Sequence, residues 1–151
     1  MNRTSDPLKG ALHLGRGDTP PRRSLRIAMV AYSFYETDNR VLRYASALAK
    51  RGDSVEVFAL RHVGQPTEEV IEGVHVHRLQ IRIVNEKSRF SYLWRICQFL
   101  LRTMILVAKQ EKKGRYDLIH VHSVPDFLVF SALIPRLRGT PVILEDRKSV
   151  V

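Results

Sequence analysis

Cysteine is nearly absent: Cys97 stands alone among 151 residues. A single thiol makes no internal disulfide, so nothing points to an oxidising compartment. Set among Trp94, Ile96 and Phe99, it reads as a buried thiol rather than a nucleophile. Metal-ligand spacing is missing too. His75 and His77 fall two apart on one segment with no third ligand nearby, so both are expected to be ordinary surface histidines. No metal or cofactor is expected. No secretory signal heads the chain, and no G-x-G-x-x-G or acidic cluster follows the first apolar run, which argues against nucleotide-binding and receiver domains. Acidic residues are also scarce, 15 against 25 basic, giving a net charge of +10. The bases are spread from Arg3 to Lys148 without interleaved exposed aromatics, so nucleic acid is not the expected partner. An anionic membrane surface is the alternative.

What is present is an ordinary core-forming composition, 44% hydrophobic and 26% charged, of one domain's length. The chain is organised around Leu25–Arg51. Ile27–Ala31 is an apolar run suited to a strand buried on both faces. A polar and aromatic loop follows, Tyr32–Asn39. Val41, Leu42, Ala45, Leu48 and Ala49 then share one face of a helix. Gly52 stands where a helix end favours a left-handed residue, and Ser54–Leu60 returns as a second strand. A crossover of this kind makes the strands parallel. Ligands bind at the carboxyl ends of such strands, which aims the Tyr32–Asn39 loop at a site.

Residues 1–24, with Gly10, Gly15, Gly17, Pro20 and Pro21, read as a disordered leader before a domain over 25–144. Arg61–Thr67 is a loop. Val74–Ile83 alternates as a strand whose apolar face switches at Arg78, which suggests a bulge or two short strands. Ser88–Lys113 is apolar at helical spacing with Arg95, Gln98, Arg102 and Lys109 opposite. It is either a helix packed on the sheet or an interfacial helix with Trp94 and Phe99 in lipid headgroups and Arg95 and Arg102 on phosphate. Tyr116–His122 is a third buried strand. Ser123 caps a helix over Asp126–Leu137, whose Phe127, Val129, Phe130, Leu133 and Ile134 are expected to face the sheet. Pro141–Leu144 begins another strand. The order predicts an α/β fold, an open Rossmann-like parallel sheet flanked by helices.

Three segments together resemble the N-terminal half of a GT-B glycosyltransferase of the GT4 family. They are DNRVLRYASALAKRGDSVEVFAL at Asp38–Leu60, GVHVHRL at Gly73–Leu79, and YDLIHVHSVPDFLVFSALIPRLRGTPVIL at Tyr116–Leu144. The resemblance implies the acceptor-side lobe of a retaining transferase, which moves sugar from a nucleotide-sugar donor to an acceptor, often a lipid-linked glycan. The donor lobe, with its nucleotide pocket, is not in this sequence, so the chain alone is expected to be inactive. Localisation is expected to be cytoplasmic or peripheral at the inner membrane face. A non-catalytic binding module or membrane-surface adaptor is the alternative.

Candidate substrate-binding residues are Asn39 and Arg40 at the helix start, where free N–H groups and a guanidinium favour pyrophosphate. His122 at a strand end, with Ser123 and Asp126 beside it, can meet a sugar hydroxyl or phosphate. Tyr32, Phe34 and Tyr35 either stack on a sugar or cover the core, and Tyr35 is taken as the binding candidate. His120 shares the face of His122 one layer deeper. Asp38 and His122 both also have purely structural readings, as helix cap and satisfied core histidine. Relatives continue past "VIL" into a D-I-H-D-like segment, whereas this chain reads Glu145–Val151 and stops. DRKSVV back-translates to the reverse complement of a common sequencing adapter. Residues 145–151 are therefore expected to be non-native, with Glu145 a hybrid codon.

Overall fold

The computed structural model describes residues 22–82, 89–123 and 126–146. The expected leader at 1–24 falls almost wholly outside them. The elements are β1 (Arg26–Phe34), α1 (Asn39–Lys50), β2 (Ser54–Arg61), β3 (Glu68–Ile71), β4 (Val74–Ile81), α2 (Arg89–Lys113), β5 (Leu118–Ser123), a 3-10 segment (Asp126–Ala132), α3 (Leu133–Leu137) and β6 (Val142–Asp146). They form a six-stranded sheet in the order β3-β4-β2-β1-β5-β6. Every pairing is parallel except β3 with β4. The fold is Rossmann-like α/β.

Side chains of β1 alternate between two cores because both sheet faces are covered. Ile27, Met29 and Ala31 join Val55, Val57 and Val76 beneath Val41 and Ala45 of α1. Ala28 and Val30 join Phe58, Leu60, Ile119 and Val121 beneath Ile96, Phe99 and Val107 of α2 and Leu128 of the 3-10 segment. Asp38 starts α1 by accepting from the amides of Arg40 and Val41, and Gly52 follows its end at φ +92°. That backbone conformation carries no Cβ penalty in glycine.

Three expectations are corrected. β3 is an additional strand, joined to β4 by a two-residue turn with Glu72 at φ 48° and Gly73 at φ 81°. Positive φ at both turn positions suits the twist of a tight hairpin. Asp126–Leu137 is a 3-10 segment running into a short α-helix, and its tighter winding puts Leu128, Ser131, Ala132 and Pro135 inside while Phe130 and Leu133 stay exposed. His77 is not a surface histidine: it is buried, stacked on Phe58 with ring centroids 5.0 Å apart. The irregularity foreseen at Arg78 is present, since Ala59 pairs with Arg78 and Leu60 with Gln80, so Leu79 is the extra residue.

The chain leaves β1 through α1 to β2 on one side and returns through α2 to β5 on the other. Strand order therefore reverses at β1. Open α/β sheets bind ligands in the crevice at such a switch point, outside the carboxyl ends of the strands.

Candidate functional site

The crevice between the ends of β1 and β5 is a cleft of about 270 Å³, lined by Ala31, Tyr32 and Ser33 of β1, Asp38, Arg40, Arg82, Tyr92 of α2 and His122. A second hollow over Ser33, Thr37, Asp38, Asn39 and Arg40 continues it across the start of α1. Arg40 and His122, far apart in sequence, thus share one cleft. Parallel pairing of Ala31 with His122 is what brings them there.

Arg40 is held between two carboxylates. Its Nε lies 3.8 Å from Asp38 and its Nη1 3.6 Å from Oε1 of Glu145. The register pairs His122 with Glu145 across β5 and β6, so these side chains emerge together on the α1 side of the sheet. Nδ1 of His122 lies 2.7 Å from Oε2 of Glu145, and Nε2 of His120 lies 3.5 Å from the same oxygen. Nε2 of His122 is buried without a hydrogen-bond partner. The two imidazoles are 4.1 Å apart, and Tyr44 of α1 packs against them at 5.6 and 6.0 Å. Burial, reinforced by the neighbouring His122, pushes His120 down to about 4. Burial also lowers His122, against the pull of the Glu145 carboxylate. Both rings are neutral at pH 7, able to donate or accept but not to repel Arg40.

The loop that carries Asp38 is anchored. Arg78, buried, binds Glu36 of the loop and, at 2.7 Å, Glu69 of β3, while Gln65 donates to Glu36 at 3.2 Å. The sheet thereby holds the loop from beneath.

Of the expected site residues, Arg40 and His122 meet in the cleft and Asn39 flanks it. Tyr35 is a correction: it is 2% exposed, in the core with Val41 and Ala45, and out of a ligand's reach. The side chains of Ser123 and Asp126 lie outside the described residues. Trp94 is 65% exposed and Arg102 is exposed, with Nη1 3.3 Å from the carbonyl of Leu79, while Arg95 is half-buried. Phe99, which the interfacial alternative places at the same surface, is fully buried beneath α2, as the sheet-packed alternative has it. Tyr44, Arg82, Tyr92 and Glu145 were not foreseen. His-x-His on a buried strand followed by a carboxylate on the next strand was the available signal for Glu145, readable only once the register was known.

The sequence profile of the glycosyl transferase 4-like domain matches residues 37–146. The chain belongs to this family. Among solved structures it resembles a glycosyltransferase from Rickettsia africae, at 15% identity and TM-score 0.50, over 82% of this chain and 30% of that one. The glycotransferase of kitacinnamycin matches at 14% identity and TM-score 0.57, over 82% and 30%. The C-terminal domain of a hydrogenase from Pyrococcus furiosus matches at 15% and TM-score 0.60, over 84% and 96%. At such identities the likeness concerns fold, and two unrelated titles on one fold show why function must be argued from the site. The chain spans about 30% of the length of the two glycosyltransferases. No curated protein matches it significantly.

Proposed function

We propose that this glycosyltransferase-like domain is the acceptor-side lobe of a retaining enzyme, and that its cleft binds the phosphate-bearing end of a lipid-linked glycan acceptor. The observation that carries this reading is the meeting of Arg40 and His122 at the switch-point cleft, beside the N-terminus of α1. Arg40 supplies charge-assisted hydrogen bonds to a phosphate, and the first-turn amide of Asn39, which Asp38 does not take, adds to them. His122, neutral, supplies a polar contact to a sugar hydroxyl, and Tyr32 and Tyr92 offer aromatic faces. Donor recognition and sugar transfer belong to a second lobe.

In a binding assay with a short-chain isoprenyl diphosphate sugar, the chain binds and Arg40→Ala weakens binding at least tenfold, while no nucleotide sugar is turned over. Turnover by residues 1–151 alone, or unchanged binding by Arg40→Ala, contradicts the reading.

A second reading concerns α2. One edge, Ile96, Phe99, Thr103 and Val107, is buried against the sheet. Another carries Phe90, Trp94, Leu101 and Ile105, which are 84%, 65%, 52% and 60% exposed. By length and composition Phe90–Lys113 is apolar enough to cross a membrane, a property shared by core helices. The half-buried, half-apolar arrangement instead fits a helix lying in an interface, and the excess positive charge matches anionic lipid. On this reading the domain docks at an anionic membrane surface through α2. Flotation with vesicles containing anionic lipid is expected, with loss in Trp94→Ala and Arg102→Glu. Equal flotation with neutral vesicles, or none at all, points to a protein covering for this face.

A further inference from the structure

We propose that His120, His122 and the carboxylate at position 145, glutamate in this chain and aspartate where its codon is the expected hybrid, bind a divalent transition-metal ion of the zinc class. One nitrogen from each histidine and one carboxylate oxygen lie within 4.8 Å of one another. The two nitrogens approach the same oxygen, Oε2, at 3.5 and 2.7 Å. Donors around a tetrahedral zinc, each about 2.0–2.1 Å from the ion, stand about 3.3 Å from one another. Enclosing an ion therefore needs only a small adjustment of side chains.

The donors come from adjacent strands in fixed register, His122 opposite Glu145 and His120 opposite Ile143, so the backbone already presents them on one face. A second observation is independent of that spacing. His122 is 3% exposed, and its Nε2 is buried without a hydrogen-bond partner, while Nδ1 has only the 2.7 Å contact with Oε2 of Glu145. Buried polar groups are nearly always satisfied, and an orphaned cluster calls for a ligand. Two of the three proposed donor atoms, Nδ1 of His122 and Oε2 of Glu145, have among the described residues no polar neighbours beyond the members of the cluster itself.

Arg40 meets Glu145 at the other oxygen, Oε1, leaving Oε2 for the ion and fixing the carboxylate's orientation. Its positive charge opposes a cation, and the carboxylates of Glu145 and Asp38 offset it. Tyr44 fixes the planes of both rings. Two imidazoles and a carboxylate suit zinc better than magnesium or calcium, which prefer all-oxygen shells. His122 also lines the cleft, so a fourth position open to water or a phosphate oxygen faces the same space. The proposal requires no sugar chemistry and stands or falls separately from the acceptor reading.

The test is titration of the metal-stripped full chain with zinc alone, by calorimetry and by elemental analysis after desalting. One ion per chain is expected. His120→Asn and His122→Asn should each weaken binding more than tenfold, and Glu145→Asp should retain it better than Glu145→Gln. His75→Asn, altering an exposed histidine away from the site, should change nothing. Cobalt added to the unmodified chain should give the visible absorption of a tetrahedral site, a readout that needs no variant to fold. Absence of stoichiometric zinc, binding that survives His122→Asn, or binding lost in His75→Asn overturns the proposal.

Discussion

The two ends of the sheet treat buried polar groups in opposite ways. At the amino end, Glu56 accepts from Arg26 Nε and Nη2 at 3.1 and 2.6 Å and from the Tyr116 hydroxyl at 2.7 Å. Arg26 also donates to the carbonyls of Gln110 and Gly114, lies over the Tyr116 ring, and has its amide bound by Asp117. A Cβ at position 114 would stand 2.9 Å from the guanidinium, which would have to shift. At the carboxyl end, His122 is equally deep and Glu145 is half-buried, yet Nε2 of His122 has no partner beside an open cleft. The first network is satisfied apart from Nδ1 of His77 and serves the scaffold; the second leaves a polar atom free at the cleft, where a ligand can meet it. Charge alone would not have separated the two, because both hold a carboxylate, an arginine and aromatic rings.

The largest expected effect breaks the amino end. Glu56→Ala leaves the half-buried Arg26 without its carboxylate and the buried Tyr116 hydroxyl without its acceptor, and should cost about 3 kcal/mol in denaturant unfolding. An effect below about 1 kcal/mol would show that this network is not structural.

Acid sharpens the contrast. The folded His120 titrates near 4, below its ordinary 6.5, so between these values the unfolded chain holds more protons. Stability is complete above pH 6.5 and falls toward pH 4, by about 3 kcal/mol. Burial raises Glu56, but its bonds from His77, Tyr116 and Arg26 outweigh this and bring it down to about 2. Its contribution is complete above pH 4.5 and is lost only as pH falls from there toward 2. Stability measured against pH should therefore decline in two steps, and His120→Gln should shrink the first, to which the lowered His122 also contributes, and leave the second unchanged.

The smallest effect is at the site. His122→Leu removes one contact, at 2.7 Å, to a partly exposed carboxylate and should cost about 1–2 kcal/mol. A loss as large as that of Glu56→Ala would assign His122 to the scaffold.

Much of this architecture was legible in the residues, because strands buried on both faces announce themselves. Ile27–Ala31 and Leu118–Val121 are apolar runs, and the helix between β1 and β2 has both its apolar face and its Asp38 and Gly52 boundaries. β3 was not legible, since EEVI is an exposed edge strand with no apolar face of its own. Nor was the 3-10 winding after β5, where a period of three was read as 3.6. Tyr35 illustrates the limit at the site: an aromatic in a polar loop fits ligand or core equally until tertiary contacts decide. Arg40 and His122 were foreseeable because strand ends and helix starts are fixed by local pattern. Glu145 and Tyr44 were not, because their place depends on register between strands and on helix rotation, which no local pattern carries.

The central claim is that the β1–β5 switch point is a binding site and the opposite end is scaffold. A backbone-amide and imidazole NMR titration of the chain with inorganic pyrophosphate tests it most directly. The account predicts shifts confined to residues 33–41 and His122, abolished in Arg40→Ala. Shifts centred on Arg26, Glu56 and Tyr116, or shifts that persist in Arg40→Ala, would contradict it.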